Sequence, residues 1–160
     1  MFKASLIAGC LLAAAAVGTA VAPPRPETDA ERQARMKWWT EARFGMFIHW
    51  GLYALPARHE WVRSREKISD QDYARYFAHF DPDLYDPREW ARAARQAGMK
   101  YFVVTTKHHE GFCLWDSKLT DYKATNTPHG KDLLHPMVDA FRGRDMRVGW
   151  EGWSFPIERY

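Results

Sequence analysis

Lys107-His108-His109-Glu110-Gly111-Phe112 follows directly on the apolar run Tyr101-Phe102-Val103-Val104-Thr105-Thr106. Adjacent histidines are seldom needed to hold a core together. At the end of a buried strand they are better suited to hydrogen-bonding a polar ligand. A second strand-like run, Phe44-Gly45-Met46-Phe47-Ile48, ends in the same manner in His49-Trp50-Gly51. Two strands that both deliver imidazoles at their carboxyl ends describe the rim of an α/β site.

Each candidate has a plainer reading beside the functional one. His49 is placed to reach a ligand, with Gly51 freeing the backbone after it, or its ring serves only a loop carbonyl. If strand geometry continues, His108 and His109 point to opposite sides, one inward and one along the rim. Glu60-Trp61 lies in a loop and reads as a site pair or as ordinary surface. Glu110 can orient one of the imidazoles and so set its tautomer. Asp116 and Asp121 read as turn formers. Three imidazoles and a carboxylate are enough donors for zinc. The His-Glu-x-x-His and His-x-His spacings are missing, however, which leaves a metal-dependent hydrolase as a remote alternative with no metal ligand assigned.

The elements that must position these residues can be read from the pattern. Asp29 to Thr40 reads as a helix ending on Trp38-Trp39, with both rings laid against the domain. Phe44 to Ile48 reads as a strand buried on both faces. Leu52 to Ser69 is irregular, and Gln71 to Phe80 is a short helix. Asp86-Pro87-Arg88-Glu89 opens the clearest helix, with Asp86 as N-cap, Pro87 at N1 and Glu89 reaching back to the N-cap amide. Trp90, Ala93, Ala94 and Ala97 form its apolar face, the arginines between Arg88 and Arg95 its solvated face, and Gly98 its end. Tyr101 to Thr106 is the second strand. A helix containing Pro136 buries Met137, Val138 and Phe141 and stops at Gly143, and Met146 to Gly149 opens the third strand. Strands alternating with helices give parallel β-α-β units and an α/β fold.

Composition narrows the function further. The chain has 160 residues, 46% of them apolar and 27% charged, with a net charge of only +3. Interspersed charge of this kind excludes the basic stripe of a nucleic-acid binder. Aromatic residues reach 15%, with eight tryptophans, which suits the apolar faces of sugar rings as well as a core. Residues 1–22 read as an export signal: Lys3, an apolar Ser5 to Ala16, then Ala20-Val21-Ala22 before Pro23-Pro24. The alternative is a signal anchor; otherwise no membrane contact is expected. Ile7-Ala8-Gly9-Cys10 loosely resembles a lipoprotein box, but the apolar segment before Cys10 is too short for one, so the expected location is periplasmic or secreted. Cleavage after Ala22 leaves Cys113 as the single cysteine, a small buried hydrophobe.

Taken in order, the motifs resemble the N-terminal part of the α-L-fucosidases of glycoside hydrolase family 29. The matching pieces are Trp38-Trp39, Arg43 through Gly51, Glu60-Trp61, Phe80-Asp81-Pro82, Glu89-Trp90, Ala97 through Tyr101, Lys107 through Ser117, Thr120-Asp121-Tyr122 and Lys131 through Leu134. Together they cover Met36 to Gly149. The resemblance implies a (β/α)₈ barrel that releases terminal α-L-fucose with retention, without metal or cofactor, from fucosylated glycans. It further implies that His49, Glu60, Trp61, His108 and His109 line the fucose pocket, with Glu60 a sugar contact or an acid/base assistant.

The family's nucleophilic aspartate and its usual acid/base lie on later strands, so no catalytic pair is expected here. About three of eight strands are accounted for, and such a barrel normally takes about 250 residues. The expected organisation is a leader (1–22), a linker and helix start (23–35), an incomplete barrel (36–149) and a divergent tail (150–160). After Gly149 the sequence departs from the family pattern, as a frameshift, a misassigned gene end or a pseudogene would leave it. The expected chain is therefore fucosidase by descent and inactive alone, the alternative being a non-catalytic fucose-binding remnant.

Overall fold

The computed structural model describes residues 25–152. The expected leader and the last eight tail positions lie outside the described residues. The chain forms two compact units, 1–35 and 36–160, and the division falls inside helix α1 (Asp29–Ala42). In the first unit Thr28 and Glu31 make a reciprocal cap. The Glu31 amide donates to Thr28 Oγ1 at 3.3 Å, and the Thr28 amide donates to Glu31 Oε2 at 3.0 Å.

The second unit continues with β1 (Gly45–Ile48), a 3₁₀ turn at Leu52–Ala54, α2 (Val62–Arg65), α3 (Asp70–Ala78), α4 (Pro87–Gln96) and β2 (Tyr101–Lys107). A 3₁₀ turn at Ala124–Asn126, α5 (Leu134–Arg142) and β3 (Arg147–Gly152) complete it. The strands form one parallel sheet in the order β1-β2-β3, with Gly45 beside Tyr101 and Tyr101 beside Arg147. Helices precede β2 and β3, so the expected α/β class with parallel crossovers is present.

Capping sets the two long helices after β1. Asp86 accepts the Arg88 and Glu89 amides, both at 3.0 Å, and starts α4 at Pro87. Glu89 does not reach back as expected: its carboxylate takes the Arg92 guanidinium one turn on, with Nε at 2.8 Å. A charged partner on the same helix face outcompetes a neutral amide. Gly98, at φ +87°, donates to the Arg95 carbonyl while the Met99 amide reaches the Ala94 carbonyl, both at 3.0 Å. This Schellman closure turns the chain directly into β2. The buried face of α4 is Pro87, Ala91 and Ala94 with Trp90 half-buried, whereas Ala93 and Ala97 are exposed. The stripe is centred at 87, 91 and 94, so the expected face was rotated off the sheet.

In α5 the buried residues are Leu134, Met137, Val138 and Phe141. Asp132 caps its start, accepting the Leu134 and His135 amides at 2.8 and 2.9 Å. The helix ends at Arg142 with Gly143 as its C-cap, as expected, although Gly143 keeps a helical φ of −63°. The left-handed residue is Asp145 at φ +56°, with the Met146 amide donating to the Phe141 carbonyl at 3.2 Å. Aspartate tolerates that conformation, so the closure falls two residues later and β3 begins at Arg147.

β2 is the central strand, and its Phe102 and Val104 are fully buried. Phe102 stacks on Phe141 of α5 with ring centroids 3.9 Å apart. β1 is not buried on both faces: Met46 and Ile48 pack on the core, but Phe47 is 54% exposed. Phe47 and its register neighbour Val103, which is half-buried, lie on the opposite face of the sheet from Met46 and Ile48. Trp38 meets the Tyr101 ring edge-on at 6.2 Å, with the Arg147 guanidinium 4.5 Å from its own ring. Trp39 is 47% exposed rather than packed, because consecutive helical side chains diverge by about 100°. Cys113 is buried, as expected. Among the described residues no helix is long and apolar enough to cross a membrane.

Candidate functional site

The residues immediately after β1 and β2 meet at one end of the sheet. His49 follows β1, and its ring lies 5.2 Å from that of His108, which follows β2. Trp61, at the start of α2, lies 5.5 Å from His108 and 4.3 Å from His109. The two histidine rings stand perpendicular, 5.0 Å apart. Four aromatic rings from three separate segments therefore form one contiguous wall.

His108 and His109 do not point to opposite sides, because the strand ends at Lys107. The Gly111 amide donates to the His108 carbonyl at 2.9 Å and closes a tight turn over 108–111. Gly111 adopts φ +91°, which a residue with a Cβ takes up only with strain. The turn brings both imidazoles onto Trp61 and folds Glu110 back under His108. His108 Nδ1 and Glu110 Oε2 are 2.8 Å apart, and the two side chains are only 4% and 6% exposed. The orienting role open to Glu110 in the sequence is thus matched by a direct contact.

A cavity of about 490 Å³ opens beside these rings, lined by Glu60, Trp61, Arg63, Ser64, Lys67, Ile68, His108, His109 and Glu110. A neighbouring cavity of similar volume is lined by His49, Tyr53, Ala54, Ala57, Arg58, His59 and Glu60. Glu60 borders both. A hydrogen bond from its own backbone amide holds the Glu60 carboxyl below the usual range. An ionised Glu60 accepts hydrogen bonds and is poorly suited to donating a proton. The Trp61 amide donates to His59 Nδ1 at 2.8 Å, so that nitrogen is an acceptor. The 3.3 Å approach of Glu60 Oε2 to the same atom is then not a charged pair.

The five expected residues are therefore gathered at one end of the sheet. Sequence reasoning missed Tyr53, which is buried with its hydroxyl 2.9 Å from His49 Nδ1. Its ring also lies 4.5 Å from that of His108. The available signal was the four-residue spacing from His49 to Tyr53, which pairs side chains once the segment turns. Leu52–Ala54 does turn, although the stretch read as irregular. Arg63 was also missed; its guanidinium lies 5.2 Å from the Tyr73 ring beside the cavity. Asp116 does more than form a turn: it accepts from Lys118, Lys123 and Thr125, and these bonds hold its carboxyl far below the usual range. Among the described residues no group of three or more His, Cys, Asp or Glu is placed to hold a metal ion.

The α-L-fucosidase family model matches residues 12–154, nearly the whole chain. The chain belongs to the α-L-fucosidase family. The rat (Rattus norvegicus) tissue α-L-fucosidase is 33% identical over 87% of this chain and 34% of its own length. Among solved structures, α-L-fucosidase isoenzyme 1 from Paenibacillus thiaminolyticus is 61% identical with a TM-score of 0.74, covering 76% of this chain and 29% of its own. The Lactobacillus casei fucosidase AlfC, solved in complex with α-L-fucose product, is 33% identical with a TM-score of 0.70 over 73% of this chain and 39% of its own. The chain thus spans about a third of the length of the fucosidases it matches. The family match also runs past Gly149, the expected limit of the resemblance, to residue 154, and β3 likewise continues to Gly152.

Proposed function

We propose that this chain supplies the N-terminal part of the fucose pocket of a retaining α-L-fucosidase, within an exported protein whose substrate is a fucosylated glycan. The observation that carries the reading is the ring wall of His49, Trp61, His108 and His109 at the carboxyl ends of adjacent parallel strands. In this reading the three-stranded sheet is the first part of a (β/α)₈ barrel, with 36–149 its domain. The face bearing Phe47 and Val103 becomes the barrel interior. The imidazoles exchange hydrogen bonds with sugar hydroxyls, Trp61 packs on the apolar ring face, and ionised Glu60 accepts a further hydroxyl. The similarity of 73% of this chain to a family structure solved in complex with α-L-fucose product supports it.

Retaining hydrolysis needs a nucleophile and an acid/base about 5–5.5 Å apart. Of the two cavity carboxylates among the described residues, Glu110 is engaged by His108 and Glu60 is held ionised. The chain is accordingly proposed to bind fucose without cleaving fucosides. The test is calorimetric titration of the full chain with L-fucose, with D-glucose as control, alongside an aryl α-L-fucoside assay. Saturable fucose binding that His108→Ala removes, without turnover, is expected. A chain with a cooperative unfolding transition that does not bind fucose refutes the pocket, and turnover at glycosidase rates refutes the division of labour.

A further inference from the structure

Glu110 is a charged side chain buried to 94%, and only one of its oxygens has a partner. Oε2 meets His108 Nδ1, whereas Oε1 is enclosed with no hydrogen-bond partner among the described residues. Stability does not account for this arrangement, because a half-satisfied buried carboxylate is worse than a neutral group of the same shape. The surrounding groups do not neutralise it either. It is faced by the phenols of Tyr73 on α3 and Tyr122 in the following loop, and Tyr73 Oη is likewise buried without a hydrogen-bond partner among the described residues. Across the cavity stand Arg63 and Lys67, and the Arg63 guanidinium is paired with Asp70.

What the contact does accomplish is to define His108. A carboxylate can only accept, so the Nδ1 facing it must carry the proton. Nε2 is then the atom left for a ligand, and in the neutral ring it is an acceptor. His49 is held in the complementary sense. The Tyr53 phenol occupies its Nδ1, and a phenol is the better donor of the two, so His49 Nε2 carries the hydrogen. We infer that Glu110 is a positioning residue that keeps His108 protonated at Nδ1 and so presents Nε2 to the sugar, opposite the Nε2–H of His49. With ring centres 5.2 Å apart, the two imidazoles are close enough to reach hydroxyls of one sugar. The ligand assignment rests on the pocket reading above, but the tautomer does not.

The two parts separate in one set of measurements on the full chain labelled with ¹⁵N-histidine. Long-range ¹H–¹⁵N spectra of the unliganded chain should show His108 Nδ1 protonated in the wild type and in Glu110→Gln, whose amide oxygen still accepts. Glu110→Leu should lose that preference. L-Fucose affinity should fall about tenfold in Glu110→Leu, the worth of one well-placed hydrogen bond, and recover in Glu110→Gln. A wild-type His108 protonated only at Nε2, or an unchanged pattern in Glu110→Leu, overturns the inference whatever fucose does. A chain with the expected tautomer that ignores fucose overturns the pocket reading instead. The wild-type spectrum needs no substitution, so a Glu110→Leu chain that fails to fold leaves the tautomer tested.

Discussion

Tyr53 offers a way to separate packing from orientation at the site, because its ring and its hydroxyl contact different residues. The ring is buried and lies 4.5 Å from His108, while the hydroxyl meets His49 Nδ1 at 2.9 Å. Tyr53→Phe removes only the hydrogen bond. A net bond contributes about 0.5–1.5 kcal/mol, and His49 is exposed enough for water to replace the lost partner, so the stability cost falls at the low end, about 0.5 kcal/mol. Tyr53→Ala removes the ring as well and leaves a cavity, costing about 3–5 kcal/mol. Urea unfolding of the full chain gives both values at unchanged slope. Fucose titration should then show about a fivefold loss in Tyr53→Phe, out of proportion to its small stability change, as His49 loses its fixed tautomer. Equal destabilisation by Phe and Ala would refute the packing account. Unaltered fucose affinity in Tyr53→Phe, in a chain whose wild type binds, would refute the orientation account.

Phe141→Ala should destabilise by about 4 kcal/mol, because a fully buried ring stacked 3.9 Å from Phe102 is deleted; thermal unfolding checks this against Leu84→Ala, whose side chain is 87% exposed and should change little. Asp86→Ala should cost about 1 kcal/mol by leaving the Arg88 and Glu89 amides uncapped, again read from urea unfolding, while Asp86→Asn should retain most of it. The folded-state carboxyl of Asp116 is held low by Lys118, Lys123 and Thr125, so its contribution is present above its unfolded value near pH 4 and is lost as the pH falls below that. Asp116→Asn should therefore flatten the acid limb of a stability–pH profile below about pH 4 and leave its slope at neutral pH unaltered.

Local signals were legible wherever a side chain answers to its own neighbours. Asp86 and Pro87 start α4 and Gly98 ends it, because cap chemistry acts within four residues. The same locality explains why Met137, Val138 and Phe141 could be named as a buried face. The misreadings are all competitions decided at longer range or between near-equal options. Glu89 chose Arg92 over the N-cap amide, and α4 rolled to present Ala91 in place of Ala93. Phe47 is apolar yet exposed, since hydrophobicity says that a residue favours burial and not whether anything covers it.

For the site, residue types at strand ends were enough to single out His49, His108 and His109, and the ordered motifs to bring in Glu60 and Trp61. Their convergence was beyond the sequence. The turn at 108–111 swings His109 onto Trp61 and Glu110 under His108, and Leu52–Ala54 coils Tyr53 back onto His49. The amino-acid order by itself determined the strand-helix alternation, the capped helices and the chemical identity of the wall, because those depend on neighbours along the chain. Only the tertiary structure decided what faces Nδ1 of His49 and Nδ1 of His108. Those partners are a phenol and a carboxylate whose distance from the imidazoles is set by backbone turns and packing.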